Sequence, residues 1–196
     1  MLKTKDMIID FRRNQIDLKR TTIKEQEVDV VESYKYLGCV IDNKLKFNVN
    51  VETICKRGQQ RLYCLRRLSK FKVDRSLMIL FYKSYIESVL TFTMLCWYGI
   101  LGVKAETALV KIVNTSSKIL GVQQSHPTDL YNRQVVRKAR SILMVTSHPL
   151  YSEFQFLPSG SRLRFPFVRS NRYKHSFIHT SISLLNSGMG GLGGRK

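Results

Sequence analysis

Short apolar runs alternate with polar positions over the N-terminal fifth of the chain, which is the pattern of β-strands. The runs lie at 7–11, 27–31 and 34–41, and the last is followed by the turn-prone pair Asp42 and Asn43. Because the three runs follow each other closely, we expect three strands that form a small antiparallel sheet.

After Phe47 the apolar period changes from two residues to about 3.6, which predicts helices. The first helix is expected to stop near Lys72 and Val73, and Asp74 is placed to cap a second helix that runs on through the uncharged stretch 88–103. A third helix is expected at 104–120, ended by Gly121. A fourth begins at Pro127 and reaches Leu143, and a short amphipathic helix covers 177–185.

These patterns predict an α+β fold in four parts. A β segment occupies 1–45, a helical domain 46–147, and a basic, partly extended region 148–186. The last part, 187–196, is rich in glycine and is expected to be disordered.

Charge changes this picture more than any other property. The chain has 33 Lys and Arg against 14 Asp and Glu, a formal net charge of +19. A positive field of this size attracts polyanions, which are nucleic acid or anionic membrane surfaces.

A membrane-spanning segment is not expected. The uncharged stretch 88–103 is shorter than the roughly 18–20 residues that a spanning helix needs, so we interpret it as a buried core helix. The alternative, a membrane-associated protein using this stretch, remains open.

The cysteines favour a reducing compartment. Cys39, Cys55, Cys64 and Cys96 include no C-x-x-C pair, and charges interrupt the start of the chain, where a signal peptide would be apolar. We expect free thiols in the cytosol or nucleus, not a secreted protein, with Cys39 and Cys96 in the core.

Basic residues interleaved with aromatic ones are the main candidate for chemistry. Cations bind phosphates and rings stack on unpaired bases, so this pattern favours contact with RNA, DNA or an RNA–DNA hybrid. The alternative is a solvated basic surface above rings that lie in the core. The residues expected to bind nucleic acid are Lys56, Arg57, Arg61, Arg66, Arg67 and Lys70 in the first helix, Arg137, Lys138 and Arg140 in the fourth, and Arg164, Arg169, Arg172 and Lys174 near the C-terminus.

Catalysis and metal binding are not supported by the sequence. His175 and His179 share a helical spacing but have no third ligand at a sensible distance. Asp10 and Asp42 lie at predicted strand ends, yet neither belongs to the acidic pair that two-metal phosphoryl transfer uses. We therefore expect no catalytic residue, no metal and no cofactor.

Several phrases, in order, resemble the C-terminal part of a non-LTR (LINE-type) retrotransposon reverse transcriptase, particularly those abundant in fish genomes. They are KTKDMIIDFR at 3–12, YKYLG at 34–38, QQRLYCLRRL at 59–68, FYKSYIESVLT at 81–91, CWYG at 96–99, RKARSIL at 137–143 and LPSG at 157–160. The likeness covers roughly residues 3–186. The order and spacing of the phrases, taken together, are what make it specific.

This resemblance implies that residues to about 45 are the end of a polymerase palm and that the helical part is the thumb, which grips template and primer. The family's catalytic acids lie in an [FY]-x-D-D motif upstream of the KTK phrase, so we expect a fragment without a complete active site. Lys3 matches the family's lysine that follows the catalytic strands.

A second resemblance concerns residues 31–52, VESYKYLGCVIDNKLKFNVNVE. This segment is similar to the N-terminal domain of an AlkB-homologue tRNA-modifying protein, a family that joins an iron/2-oxoglutarate dioxygenase to a methyltransferase. Such an iron site requires an H-x-D motif with a distant His, and the sequence contains no H-x-D.

Overall fold

The computed structural model describes residues 4–12 and 20–188 and has an α+β fold. The chain divides into two compact units, Met1–Ile54 and Cys55–Lys196. Short strands belong to the first unit and most of the helices to the second, as the change of apolar period at Phe47 predicts.

In the described residues of the first unit, six short strands pair two by two. They are β1 (Lys5–Asp6), β2 (Thr22–Ile23), β3 (Gln26–Glu27), β4 (Asp29–Val30), β5 (Ser33–Tyr36) and β6 (Cys39–Asp42). β1 pairs with β4 in parallel, whereas the β2–β3 and β5–β6 pairs are antiparallel. The prediction of one antiparallel sheet of three strands was therefore wrong.

A tight hairpin replaces the long strand expected at 34–41. Leu37 and Gly38 both have positive φ, 46° and 88°, and they reverse the chain between β5 and β6. Two successive positive φ values are typical of the turns that match the twist of a two-stranded ribbon. Leucine is unfavourable in that conformation and gives no signal of a turn. The apolar run therefore predicted one continuous strand.

The run at 7–11 is likewise not a strand, because regular pairing in this part of the chain ends at Asp6. Asp10 explains part of the difference. Its carboxylate accepts hydrogen bonds from the backbone and the guanidinium of Arg12, a local turn that competes with sheet pairing.

Asp42 leads the chain from the hairpin into the first helix, α1 (Asn48–Lys70). Its carboxylate oxygens accept hydrogen bonds from the backbone N–H groups of Lys44, Lys46 and Phe47. Asn50, buried in the first turn of α1, accepts a hydrogen bond from the Val40 N–H. The acid considered at a strand end thus organises a turn.

The remaining helices lie in the second unit. They are α2 (Arg75–Phe81), a π-helical segment (Tyr82–Glu87), α3 (Ser88–Leu90), α4 (Met94–Trp97), a 3-10 turn (Tyr98–Ile100), α5 (Val103–Leu120), α6 (Pro127–Leu143), a second 3-10 turn (Tyr151–Glu153), α7 (Asn171–Lys174) and α8 (Phe177–Asn186). The predicted cap at Asp74 is confirmed, since its carboxylate accepts the Ser76 N–H at 2.8 Å. Gly121 ends α5 with φ 64°, and Pro127 begins α6.

The continuous helix expected through 88–103 is broken. Thr93 takes a left-handed conformation (φ 50°) between α3 and α4, and the Trp97 indole N–H donates to the Phe92 carbonyl across the break. β-Branched residues rarely adopt this conformation, so the break has no simple sequence signal. Leu90, Met94, Trp97 and Tyr98 are nevertheless buried.

Within the described residues, Arg75–Ile100 is the helical stretch whose length and composition would suit a membrane crossing. Only 22% of its most apolar window is buried, and Leu77, Leu80 and Phe92 are exposed. One face of this stretch is therefore buried, as the interpretation as a core helix predicts, and the other face is exposed. The absence of a membrane contact stays a prediction.

An apolar cluster, which we call the C-terminal apolar cluster, packs the chain beyond α6 against α6 and α8. It consists of Ala139, Ile142, Phe154, Leu163, Ile182 and Leu185. Leu163 is also fixed by Asn186, which accepts its N–H and donates to its carbonyl. Phe154 and Leu163 thus join the start of the basic region to α6 and α8, and residues 164–169 between them and α7 have no regular secondary structure.

Two core assignments had different outcomes. Cys39 is buried as predicted, whereas Cys96 is exposed because the break at Thr93 changes the face that α4 presents. The Gly-rich tail from 189 onwards and Lys3 lie outside the described residues.

Candidate nucleic-acid interface

Helix α1 separates an apolar face from a basic one. Val51, Ile54, Leu62 and Leu65 are buried. The predicted cations of this helix, Arg61 excepted, are exposed: Lys56, Arg57, Arg66, Arg67 and Lys70. We call these five residues the α1 basic face.

Arg61 has a different position from the rest of its predicted group. Its guanidinium lies 4.0 Å from the centre of the Tyr85 ring and donates a hydrogen bond to the Tyr85 carbonyl. The side chain is half-buried. Arg61 therefore links α1 to the segment Tyr82–Glu87. One N–H group of its guanidinium bonds to the protein itself and is not available to a phosphate.

Two exposed rings accompany the α1 basic face. The Arg67 guanidinium lies 5.3 Å from the centre of the Phe71 ring, and Phe71 is 69% exposed. Tyr63 is 61% exposed. The sequence pattern of cations with rings is thus present on the surface here, whereas the alternative placed these rings in the core.

The cations of α6 border a groove. Arg137 and Arg140 line a concavity of about 620 Å³ together with Arg133, Asn132, Val136, Ser141, Met144 and Val145. Lys138 is exposed on the same helix. Arg133, which the predicted group omitted, also lies near the Glu87 carboxyl. Burial raises the pKa of that carboxyl, and the positive charge of Arg133 offsets part of the rise.

The C-terminal cations lie on and around α7. Arg169 and Lys174 line a second concavity, of about 350 Å³, and Arg172 belongs to α7 itself. Arg164 is exposed next to the bridge between Phe156 and Leu163, where its N–H donates to the Gln155 carbonyl at 2.7 Å. Arg169 also lies 5.7 Å from the centre of the Phe167 ring.

Acidic residues are distributed unlike the basic ones. Three ion pairs, Lys5–Asp29, Arg12–Asp10 and Arg20–Glu27, lie in the described part of the first unit. Glu153 is the one acidic residue after Pro149 in the sequence. The second unit therefore carries a strongly positive field at its C-terminal end.

The aspartates considered for catalysis serve the fold. The side-chain and backbone hydrogen bonds from Arg12 lower the pKa of Asp10 to about 2. Asp42 is occupied by the turn before α1. In residues 4–12 and 20–188, no three His, Cys, Asp or Glu side chains are grouped in a way that fits a metal ion.

Sequence reasoning missed the polar contacts that position α5 and α6. Tyr98 shares hydrogen bonds with Glu106 (2.9 Å) and Thr128 (3.0 Å), and burial raises its pKa to about 12. The Arg75 guanidinium donates to the carbonyls of Leu120 and Gly121 at the end of α5. Long-range pairs of this kind have no signal in a single sequence.

Comparison with known proteins gives one partial match. The model of a family described as "Alkylated DNA repair protein alkB homolog 8, N-terminal" matches residues 47–88. The likeness expected at 31–52 is therefore displaced toward the C-terminus and overlaps the match only at 47–52. No curated protein and no solved structure matches the chain. Over α1, α2 and the π-helical segment, the chain is thus similar to the N-terminal region of that family.

Proposed function

We propose that this chain is a thumb-side fragment of a non-LTR retrotransposon reverse transcriptase that binds RNA, DNA or their hybrid without reading sequence. The observation that carries the proposal is the exposure of the predicted cations, Arg61 excepted, on α1, α6 and the C-terminal region. Exposed Lys and Arg bind phosphates, which are the same in every sequence.

The ordered phrases between residues 3 and 160 support the polymerase origin of the chain. A thumb needs a helical body that presents cations to a duplex backbone, and α1 and α6 present such faces. The fragment itself carries no assigned catalytic residue, so binding is the activity that we assign to it.

Binding to labelled oligonucleotides tests this proposal. Single-stranded RNA, single-stranded DNA, a DNA duplex and an RNA–DNA hybrid, each in two unrelated sequences, should bind with micromolar or weaker affinity. The two sequences of each kind should differ little. Absence of binding at low salt, or a strong preference for one sequence, would contradict the proposal.

The family match at 47–88 favours a second candidate, a module of an AlkB-homologue-8 type enzyme with dioxygenase or methyltransferase chemistry. Such a module would bind iron with 2-oxoglutarate, or S-adenosylmethionine. Ligands that bind the folded state raise the melting temperature. A thermal-shift assay with each ligand therefore separates the candidates, and no stabilisation by any of them would remove this one.

A further inference from the structure

A concave surface on α7 and its surroundings combines positive charge with a size suited to a small group. Its lining consists of Val168, Arg169, Ser170, Asn171, Lys174 and His179, and we call it the C-terminal pocket. Its volume of about 350 Å³ is at the lower end of the range of roughly 300–1,000 Å³ that is common for ligand sites. These residues contribute two cations and an imidazole but no carboxylate, so the pocket favours an anion.

An exposed aromatic ring stands beside this pocket. Phe167 is 82% exposed, although a large apolar side chain gains most by burial. The Arg169 guanidinium lies 5.7 Å from the ring centre, a cation–π distance that restrains both side chains. Arg169 thus belongs to the pocket lining and holds the neighbouring ring.

A second ring borders the pocket at His179. The centres of the Phe165 and His179 rings are 5.2 Å apart, with planes inclined by 47°. Phe165 is 48% exposed. Two residues of the pocket lining, Arg169 and His179, therefore each contact an exposed aromatic ring, which an inorganic anion would not need.

The pocket is mounted on an ordered part of the fold. Ser170 accepts the Tyr173 N–H at 3.3 Å with its hydroxyl and the Lys174 N–H at 3.1 Å with its carbonyl. His179 lies in α8, whose residues Ile182 and Leu185 belong to the C-terminal apolar cluster. The backbone that carries Lys174 and His179 is thus fixed before any ligand binds, which lowers the entropic cost of binding.

We propose that the C-terminal pocket and Phe167 bind one unpaired nucleotide of a nucleic-acid strand. Arg169 and Lys174 contact its phosphate, and the base stacks on the face of the Phe167 ring opposite Arg169. This inference rests on the proposed function and narrows it, since the basic faces of α1 and α6 accept any phosphate backbone. Bases inside a duplex are already stacked on each other, so only an unpaired base reaches the ring.

Substitution of Phe167 tests the inference, with anisotropy measured on single-stranded and duplex oligonucleotides of about 15 nucleotides. Stacking on an aromatic side chain typically contributes enough for about a tenfold change in affinity. We expect Phe167→Ala to weaken single-strand binding about tenfold and to change duplex binding less than twofold. Phe167→Tyr, which keeps the ring, should bind single strands like the wild type.

Phe92→Ala serves as the matched control, because Phe92 is a half-exposed phenylalanine on the turn between α3 and α4. It should leave both affinities within about twofold of the wild-type values, less than the loss expected from one stacked base. Equal effects of Phe167→Ala and Phe92→Ala, or an equal loss on single strands and duplex, would overturn the inference while the proposed function stands. A wild-type protein that binds neither oligonucleotide would overturn both.

Discussion

Gly121 ends α5 in a left-handed conformation and lies against the Arg75 guanidinium that caps this helix. A Cβ at this position would collide with Nη2 of Arg75, and φ 64° is unfavourable for a residue with a side chain. Two requirements therefore coincide at one glycine, a close approach and a backbone conformation.

We expect Gly121→Ala to lower the free energy of unfolding by about 1–2 kcal/mol, because the αL conformation and the displaced cap both cost energy. Urea unfolding measures the change. Gly102→Ala is the control, since nothing lies within 4 Å of a Cβ there and φ is −78°; because Gly102 is the N-cap of α5, this variant should lose no more than about 0.5 kcal/mol. Similar losses in the two variants would contradict the combined cost of the positive φ and the Arg75 contact.

Glu87 is a half-buried carboxyl next to Lys83 and Arg133. Burial raises its pKa above the ordinary value of 4.5, while the two cations lower it. An acid whose pKa is higher in the folded protein binds its proton more tightly there. It therefore stabilises the fold at low pH, and this contribution is lost as the pH rises from 4.5 through the folded pKa.

Replacing Glu87 by Gln removes this titration. Relative to wild type, we expect the stability of Glu87→Gln to improve as the pH rises from about 4.5 to 7. Thermal unfolding in buffers of equal ionic strength measures this difference. Glu153→Gln, at an exposed glutamate, should run parallel to wild type. The opposite trend, a variant that loses relative stability as the pH rises, would mean that the cations outweigh the burial of Glu87.

At the scale of elements, the helices α1, α5, α6 and α8 begin and end close to the predicted residues. Their apolar periodicity is strong, and Asp74, Gly121 and Pro127 supply local start and stop signals that act within one turn. The hairpin at Leu37 and the break at Thr93 were not predicted. Both place a residue with a side chain at positive φ, a conformation that tertiary contacts impose and the local sequence does not announce.

In the candidate interface, too, some features have a local sequence signal and others depend on tertiary contacts. Exposure of the predicted cations follows from helical periodicity, so it could be foreseen for α1 and α6. The exception is Arg61, whose contact with Tyr85 joins residues far apart in sequence. The pairing of Arg169 with Phe167 and the pocket beside them depend on how α7 and α8 pack, which no spacing rule describes.

Helix α5 offers a matched control for the α1 basic face. Lys104, Lys111 and Lys118 are exposed and lie two turns apart along one side of α5. Replacing these three by Gln lowers the net charge by the same amount as replacing Arg66, Arg67 and Lys70. Of these six residues, only Arg66, Arg67 and Lys70 belong to the proposed interface.

We expect the triple α1 variant to weaken binding to a DNA duplex at least tenfold at moderate salt, because each lost phosphate contact removes one counterion release. The triple α5 variant should weaken it less than about threefold, through the long-range field alone. Anisotropy at constant ionic strength measures both. Equal losses would mean that binding follows net charge and that the α1 basic face has no specific part.

For the whole molecule, the central claim is that exposed cations engage a phosphate backbone at several points at once. The number of phosphates neutralised can be read from the slope of log affinity against log salt concentration, roughly 0.9 per phosphate for duplex DNA and 0.7 for a single strand. The predicted cations on three parts of the chain are enough for several simultaneous contacts.

The most direct measurement is this slope for the wild-type protein with a DNA duplex and with a single strand, between about 50 and 200 mM salt. We predict slopes of about −4 or steeper for either ligand, which correspond to about four or more phosphate contacts on the duplex and about six or more on the single strand. A slope near zero, or binding that does not weaken with salt, would contradict the account.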